Sequence, residues 1–299
     1  MTTYKTNSFK TNIEKKIGNS LLIKIHKKNK RNNSVIFMVG GVLKGDFPKL
    51  FIEDIRKNNR IDELLEKTDI ALLTAPLKRN LLHKTLPDMK EIKEIENELN
   101  DHSYTISPYS MIDWFTSGLL DLIREYSSIK IVAHSFSGLI TPISLMKLYK
   151  KDAEVQKNID KITLLGPYIF NPTINWGKLE TINKLHKIQK KLAYFYPAVD
   201  RNFSSDTVKL LTELFELEDN NTGNRLKNAV LNIVVHPKDE YINTHNKFEA
   251  LYVLMKKLGV SKTNAYFNEQ KLKCNGTKQV HHSYHEMITD NRLAKKLLL

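Results

Sequence analysis

Apolar residues in this chain fall into short unbroken runs that alternate with longer stretches of helical spacing. Residues 34–39, 69–73, 130–133, 161–165 and 229–235 are runs dominated by Val, Ile, Leu, Ala, Phe and Met. Runs of that length and make-up suit strands covered on both faces of a parallel sheet. A last short strand is expected at 264–267. Residues 9–13 and 20–26 flank Gly18 and Asn19, which predicts an N-terminal hairpin. Between the runs, 47–57, 111–126, 139–148, 244–258 and 290–299 carry apolar residues at helical intervals. A helical patch at 89–99 interrupts a charged, irregular stretch from 76 to 108. Buried strands alternating with helices predict a doubly wound α/β sheet.

The alternation breaks between 166 and 228. That stretch reads as helical and holds Phe170, Trp176, Tyr194, Phe195, Tyr196, Phe203 and Phe215. Lids commonly interrupt a regular fold in this way. The expected organisation is therefore a core over 1–167, a helical cap over 168–228 and a second core segment over 229–299. Trp176, Phe195 and Tyr196 are the candidate substrate-contacting residues of the cap, since small-molecule sites are concave and mostly apolar.

One junction adds chemistry to this outline. The strand at 130–133 runs into His134, Ser135, Phe136, Ser137 and Gly138, and an apolar helix follows. A strand, a sharp turn carrying serine and a helix make a nucleophile elbow, usually written G-x-S-x-G. The residues two before and two after the serine must be small, because the turn is strained and crowded. Ala133 and Ser137 meet that condition without being glycine. The helix start also leaves free N–H groups beside the nucleophile.

A serine hydroxyl needs a base to take its proton, usually a histidine oriented by a carboxylate. On this fold the order is Ser, then Asp or Glu, then His, at successive strand ends. Asp239 and Glu240 follow the strand at 229–235. His281, His282 and His285 follow the last strand. The residues alone leave the choice within each group open.

Taken together, these segments resemble an α/β-hydrolase. The closest likeness is to the branch of monoacylglycerol lipases, lysophospholipases and related serine esterases. The resemblance spans almost the whole chain. The branch's G-H-S-x-G-G elbow is similar to Ala133-His134-Ser135-Phe136-Ser137-Gly138. Its G-x-x-D-like acid turn resembles His236-Pro237-Lys238-Asp239, and its Y-H-E stretch matches Tyr284-His285-Glu286. The resemblance implies a mainly parallel sheet flanked by helices with a helical cap insertion. It selects Ser135, Asp239 and His285 as the triad. It also implies an oxyanion hole from the backbone N–H groups of Phe136 and of Val42, the latter after the Gly40-Gly41 pair. The chain departs from the branch after the fourth strand, where D-x-x-G-x-G is replaced by Thr74-Ala-Pro-Leu-Lys-Arg79.

The activity so implied is hydrolysis of carboxylic, lipid-like acyl esters through an acyl-enzyme. An acyltransferase or thioesterase on the same fold, and a binding protein that has lost turnover, are the alternatives. No cofactor is expected, since the chain has neither G-x-G-x-x-G nor a Walker A sequence. No metal is expected either: His285-Glu286 lacks the second histidine of H-E-x-x-H.

Charge and composition add little more. The formal net charge is +14, which makes an anionic membrane surface a candidate partner besides a small acyl ester. The densest basic run, 24–31, carries no aromatic residues for base stacking, so nucleic acid is not expected and a solvated hairpin end is. The single cysteine, Cys274, the lack of an apolar stretch in residues 1–16 and the lack of a membrane-length run fit a cytoplasmic protein.

Overall fold

In the computed structural model the described residues are 9–17, 20–27, 29–40, 60–74, 105–151, 153–169, 178–195, 199–216, 226, 228–235, 259–260 and 262–267. The elements in chain order are β1 (Phe9–Ile17), β2 (Ser20–Lys27), β3 (Ser34–Val39), α1 (Arg60–Leu65), β4 (Asp69–Thr74), α2 (Pro108–Glu125), β5 (Ser128–His134), α3 (Ser137–Lys151), a 3₁₀ segment (Ala153–Asn158), β6 (Ile159–Leu165), α4 (Lys178–Phe195), α5 (Phe203–Glu216), β7 (Val230–Val235) and β8 (Lys262–Phe267). The predicted helices at 47–57, 89–99, 244–258 and 290–299 lie outside the described residues.

The eight strands form one sheet in the order β1-β2-β4-β3-β5-β6-β7-β8. β2 runs antiparallel to β1 and β4, and every pairing from β4 to β8 is parallel. This is the α/β-hydrolase arrangement, a mainly parallel sheet with a single reversed strand near one edge. The central strands are apolar on both faces for a reason. β3 lies between β4 and β5, and from Val35 to Val39 it is buried. Phe37 reaches Phe115 of α2, with ring centroids 5.4 Å apart.

Chain order and spatial order diverge at β3. From β3 the chain steps outward to β4, then returns past β3 to β5 and continues the other way through β6, β7 and β8. The carboxyl ends of β3 and β5 therefore mark a topological switch point, the usual place for a ligand in an open α/β sheet.

The predicted strands are all present, with β1 extended to Ile17. α2 begins three residues earlier than its apolar spacing indicates, because Ser107 caps it. The Ser107 hydroxyl accepts from the Ser110 N–H at 3.1 Å, the Ser110 hydroxyl accepts from the Ser107 N–H at 2.9 Å, and Pro108 opens the first turn. Neither α1 nor the 3₁₀ segment was visible as a pattern, both being only six residues long.

The basic run at 24–31 is not simply a solvated hairpin end. Lys24 is buried, and its ammonium donates to both carboxylate oxygens of Glu125 at 2.7 and 2.8 Å. His26 is buried too. Lys27 and Lys30 both reach Glu66. These two exposed ammonium groups hold the Glu66 carboxyl below its usual range. Next to Lys24, Tyr126 donates to the buried Asp69 at 3.2 Å, and Asn32 donates to the other Asp69 oxygen at 2.8 Å. Tertiary acceptors arriving from α2 and β4 account for what spacing alone cannot reveal.

Candidate active site

β5 delivers Ser135 to the carboxyl edge of the sheet. Its φ is +56°, the only positive value at a non-glycine among the described residues. That left-handed conformation is unfavourable for an L-residue and has to be held by its surroundings. Three backbone bonds hold it. The Ser135 N–H donates to the Leu165 carbonyl at 2.9 Å. The Ser135 carbonyl accepts from Tyr168 N–H at 2.9 Å and from Gly138 N–H at 3.0 Å. Thus the end of β6, and the segment just after it, clamp the turn from one side.

Small residues surround the turn as the elbow pattern requires. Ala133 is buried at the end of β5. Gly138 faces Pro167 so closely that an added Cβ would lie 2.7 Å from the proline Cβ and 2.8 Å from its Cα. The glycine needed for close approach therefore stands three residues after Ser135 rather than two. Ser137 fills the usual glycine place. It is fully buried, and its hydroxyl donates to the Gly40 carbonyl at the end of β3.

The two serines are thus distinguished. Ser137 is enclosed and bonded to backbone, whereas Ser135 is half-buried at the apex of the turn. Phe136 is buried, and its N–H donates to no backbone carbonyl among the described residues. It stands one residue ahead of α3, where helical N–H groups lack intrahelical acceptors. The positive end of the α3 dipole therefore lies next to the Ser135 turn.

The insertion meets the elbow directly. The Phe136 ring lies 5.2 Å from the ring of Phe203, the first residue of α5, and 6.3 Å from Tyr168. Phe203 is fully buried, so it is part of the core, not an open lining residue. Burial also pushes the Tyr168 hydroxyl pKa up, which keeps it protonated. A second fastening lies before α2. Ile106 bridges Val199, and Asp200 N–H donates to the Ile106 carbonyl at 2.9 Å. Gln189 of α4 donates to the Asp200 and Arg201 carbonyls, both at 2.9 Å, and accepts from Ser204 at 2.6 Å. The first turns of the insertion's second helix are therefore fixed to its first helix and to the elbow.

Of the residues proposed from the sequence, Ser135 and Phe136, consecutive in the chain, are described at this turn. Phe195 is the last residue of α4. Val42, Trp176, Tyr196, Asp239 and His285 lie outside the described residues, as do Glu240, His281 and His282. Among the described residues, no group of three His, Cys, Asp or Glu could hold a metal ion, and no helix is long and apolar enough to cross a membrane. The roles of Ser137 and Gly138 were only partly legible. The sequence marks both as small, but not what each one touches.

No family model matches this chain, and no curated protein matches it. Similar solved structures include brefeldin A esterase, described as a bacterial homologue of human hormone sensitive lipase. It is 10% identical, with a TM-score of 0.49 over 89% of this chain and 69% of that one. A Pyrococcus furiosus esterase is 14% identical, with a TM-score of 0.48 over 88% and 81%. A structure from a study of the metagenome-derived lipolytic enzymes LipS and LipT is 9% identical, with a TM-score of 0.49 over 89% and 91%. At these values the fold rests on the strand order and the elbow, not on the neighbours.

Proposed function

We propose that this protein is a serine hydrolase of carboxylic esters with Ser135 as its nucleophile. The observation that carries the reading is the backbone of Ser135. A serine is held at φ +56° between the carboxyl end of β5 and the N-terminus of α3. A strained turn at a topological switch point is expensive, and such strain concentrates at functional sites.

In this reading Ser135 attacks the acyl carbonyl. His285 takes the hydroxyl proton and returns it to the leaving alcohol. Asp239 orients the imidazole and stabilises its charged form. The N–H groups of Phe136 and Val42 receive the tetrahedral oxyanion. The alcohol leaves, and the acyl group stays on Ser135. Water, deprotonated by His285, then attacks the acyl-enzyme and releases the acid. Residues 168–228 form the cap, with Trp176, Phe195 and Tyr196 against the acyl chain. The substrate class is a medium- or long-chain acyl ester, as in the lipase-like branch the sequence resembles.

Labelling with a fluorophosphonate probe tests the reading, with Ser135→Ala as control. Stoichiometric capture at Ser135, lost in the variant, is expected. A folded wild type that is not labelled would refute an activated nucleophile and leave a binding protein on a hydrolase fold.

A further inference from the structure

The elbow's departure from glycine at 137 forms a bond that no glycine could make. Ser137 opens α3 directly after the turn that carries Ser135 and Phe136. Its hydroxyl donates to the carbonyl of Gly40. Gly40 follows β3, which pairs in register with β5 up to Val39 opposite Ala133. The two backbones that meet at the switch point are therefore joined by one side chain, and that side chain is fully buried.

We propose that Ser137 is a positioning residue for oxyanion stabilisation, fastening the end of β3 to the helix start that presents the Phe136 N–H. The proposal rests on the hydrolase reading above. Its physical basis is the planarity of the peptide unit. Holding the Gly40 carbonyl restrains the planar peptide unit that ends β3. Gly40 supplies no side chain to hold that peptide, so its conformational freedom has to be limited from outside. A hydroxyl from α3 does this, and it ties the strand end to the same turn that orients Ser135. Oxyanion stabilisation depends on donors held in place before the charge develops, so a loosened strand end lowers the rate even with the nucleophile intact. Ser137 cannot act as a nucleophile in this arrangement, since its hydroxyl is enclosed and engaged.

The test compares wild type, Ser137→Ala and Ser137→Gly on a p-nitrophenyl ester and on its thiono analogue, in which sulfur replaces the carbonyl oxygen. Sulfur is a weak hydrogen-bond acceptor, so the thionoester gains little from an oxyanion hole. Removing a whole oxyanion donor costs about 10²–10³ in kcat, and loosening one should cost about tenfold. Both variants are expected to lose about tenfold in kcat on the oxoester with KM little changed, and less on the thionoester, so that the oxo-to-thiono ratio falls. Equal losses on the two substrates would mean a displaced nucleophile and would overturn the proposal. So would wild-type kcat in either variant, or failure of both to fold. Absence of Ser135-dependent turnover in the wild type would refute the hydrolase reading itself, and the proposal with it.

Discussion

Gly138 and Pro167 are in direct contact across the elbow, and a single added methyl at 138 would sit 2.7 Å from the proline ring carbon. The atoms it would meet are the Pro167 ring Cβ and backbone Cα, not the end of a flexible side chain, so the clash can be relieved only by moving backbone. Gly138→Ala should therefore destabilise the fold by about 1–3 kcal/mol, the usual cost of overpacking. It should also lower activity by pushing the Ser135 turn away from β6. Urea unfolding followed by ester kinetics on the folded variant checks both effects. Unchanged stability would mean that the proline segment yields freely.

A triad acts as a unit. Ser135→Ala and His285→Ala should each reduce ester turnover by on the order of 10⁴–10⁶-fold, with the double variant little worse than either. Asp239→Asn should also be strongly impaired, because an amide cannot stabilise the imidazolium. Losses that add in log units in the double variant would show that Ser135 and His285 do not share one step.

The preferred acyl chain should be longer than acetyl. Each buried methylene contributes about 0.8 kcal/mol, so the apolar acyl site proposed above would reward added length until it is filled. Ranking p-nitrophenyl esters by kcat/KM should show a rise from acetyl through medium chains. A steady fall from acetyl would instead identify a small-acyl esterase.

Phe203, the first residue of α5, meets the elbow through Phe136, ring to ring at 5.2 Å. Phe203→Ala opens a cavity at a fully buried position and should cost about 3–5 kcal/mol. Phe203→Leu keeps most of the volume and should fold well, yet it changes the surface that backs Phe136. We expect it to lower kcat more than Tm. A variant with wild-type kcat and a lowered Tm would confine Phe203 to packing.

The Lys24–Glu125 pair should respond unequally to removal of its two partners. Lys24 is 3% exposed at its side chain and Glu125 is 40% exposed. Glu125→Ala takes the carboxylate from a buried ammonium and should cost about 3 kcal/mol. Lys24→Met leaves a carboxylate that can turn to water and should cost less than about 1 kcal/mol, since apolar replacement of a buried ion is often near neutral. Chemical denaturation of both variants measures the difference, and equal losses would contradict it.

Much of the fold could be read along the chain. β3 and β4 were predictable almost to the residue, because a strand covered on both faces has to be apolar without interruption, and few other elements look like that. The elbow was legible for a related reason: a crowded turn restricts its neighbours to small side chains, and Ala133, Ser137 and Gly138 show that restriction openly. α1 and the 3₁₀ segment were not legible, being too short to establish a period. Lys24 looked like one more solvated lysine, since nothing near it in sequence reveals Glu125, which is 101 positions away.

The sequence by itself determined which segments are strands, where the chain turns sharply, and that Ser135 stands in that turn. Those features depend on local sterics and on which faces must avoid water, and both are written in neighbouring residues. Only the tertiary structure decided what surrounds the turn. It placed Leu165 and Tyr168 against the Ser135 backbone, Pro167 against Gly138, Phe203 against Phe136, and the Gly40 carbonyl within reach of Ser137. Those partners come from the ends of β3 and β6 and from the start of α5. Their meeting follows from the order in which the strands assemble, and residue spacing carries no record of that order.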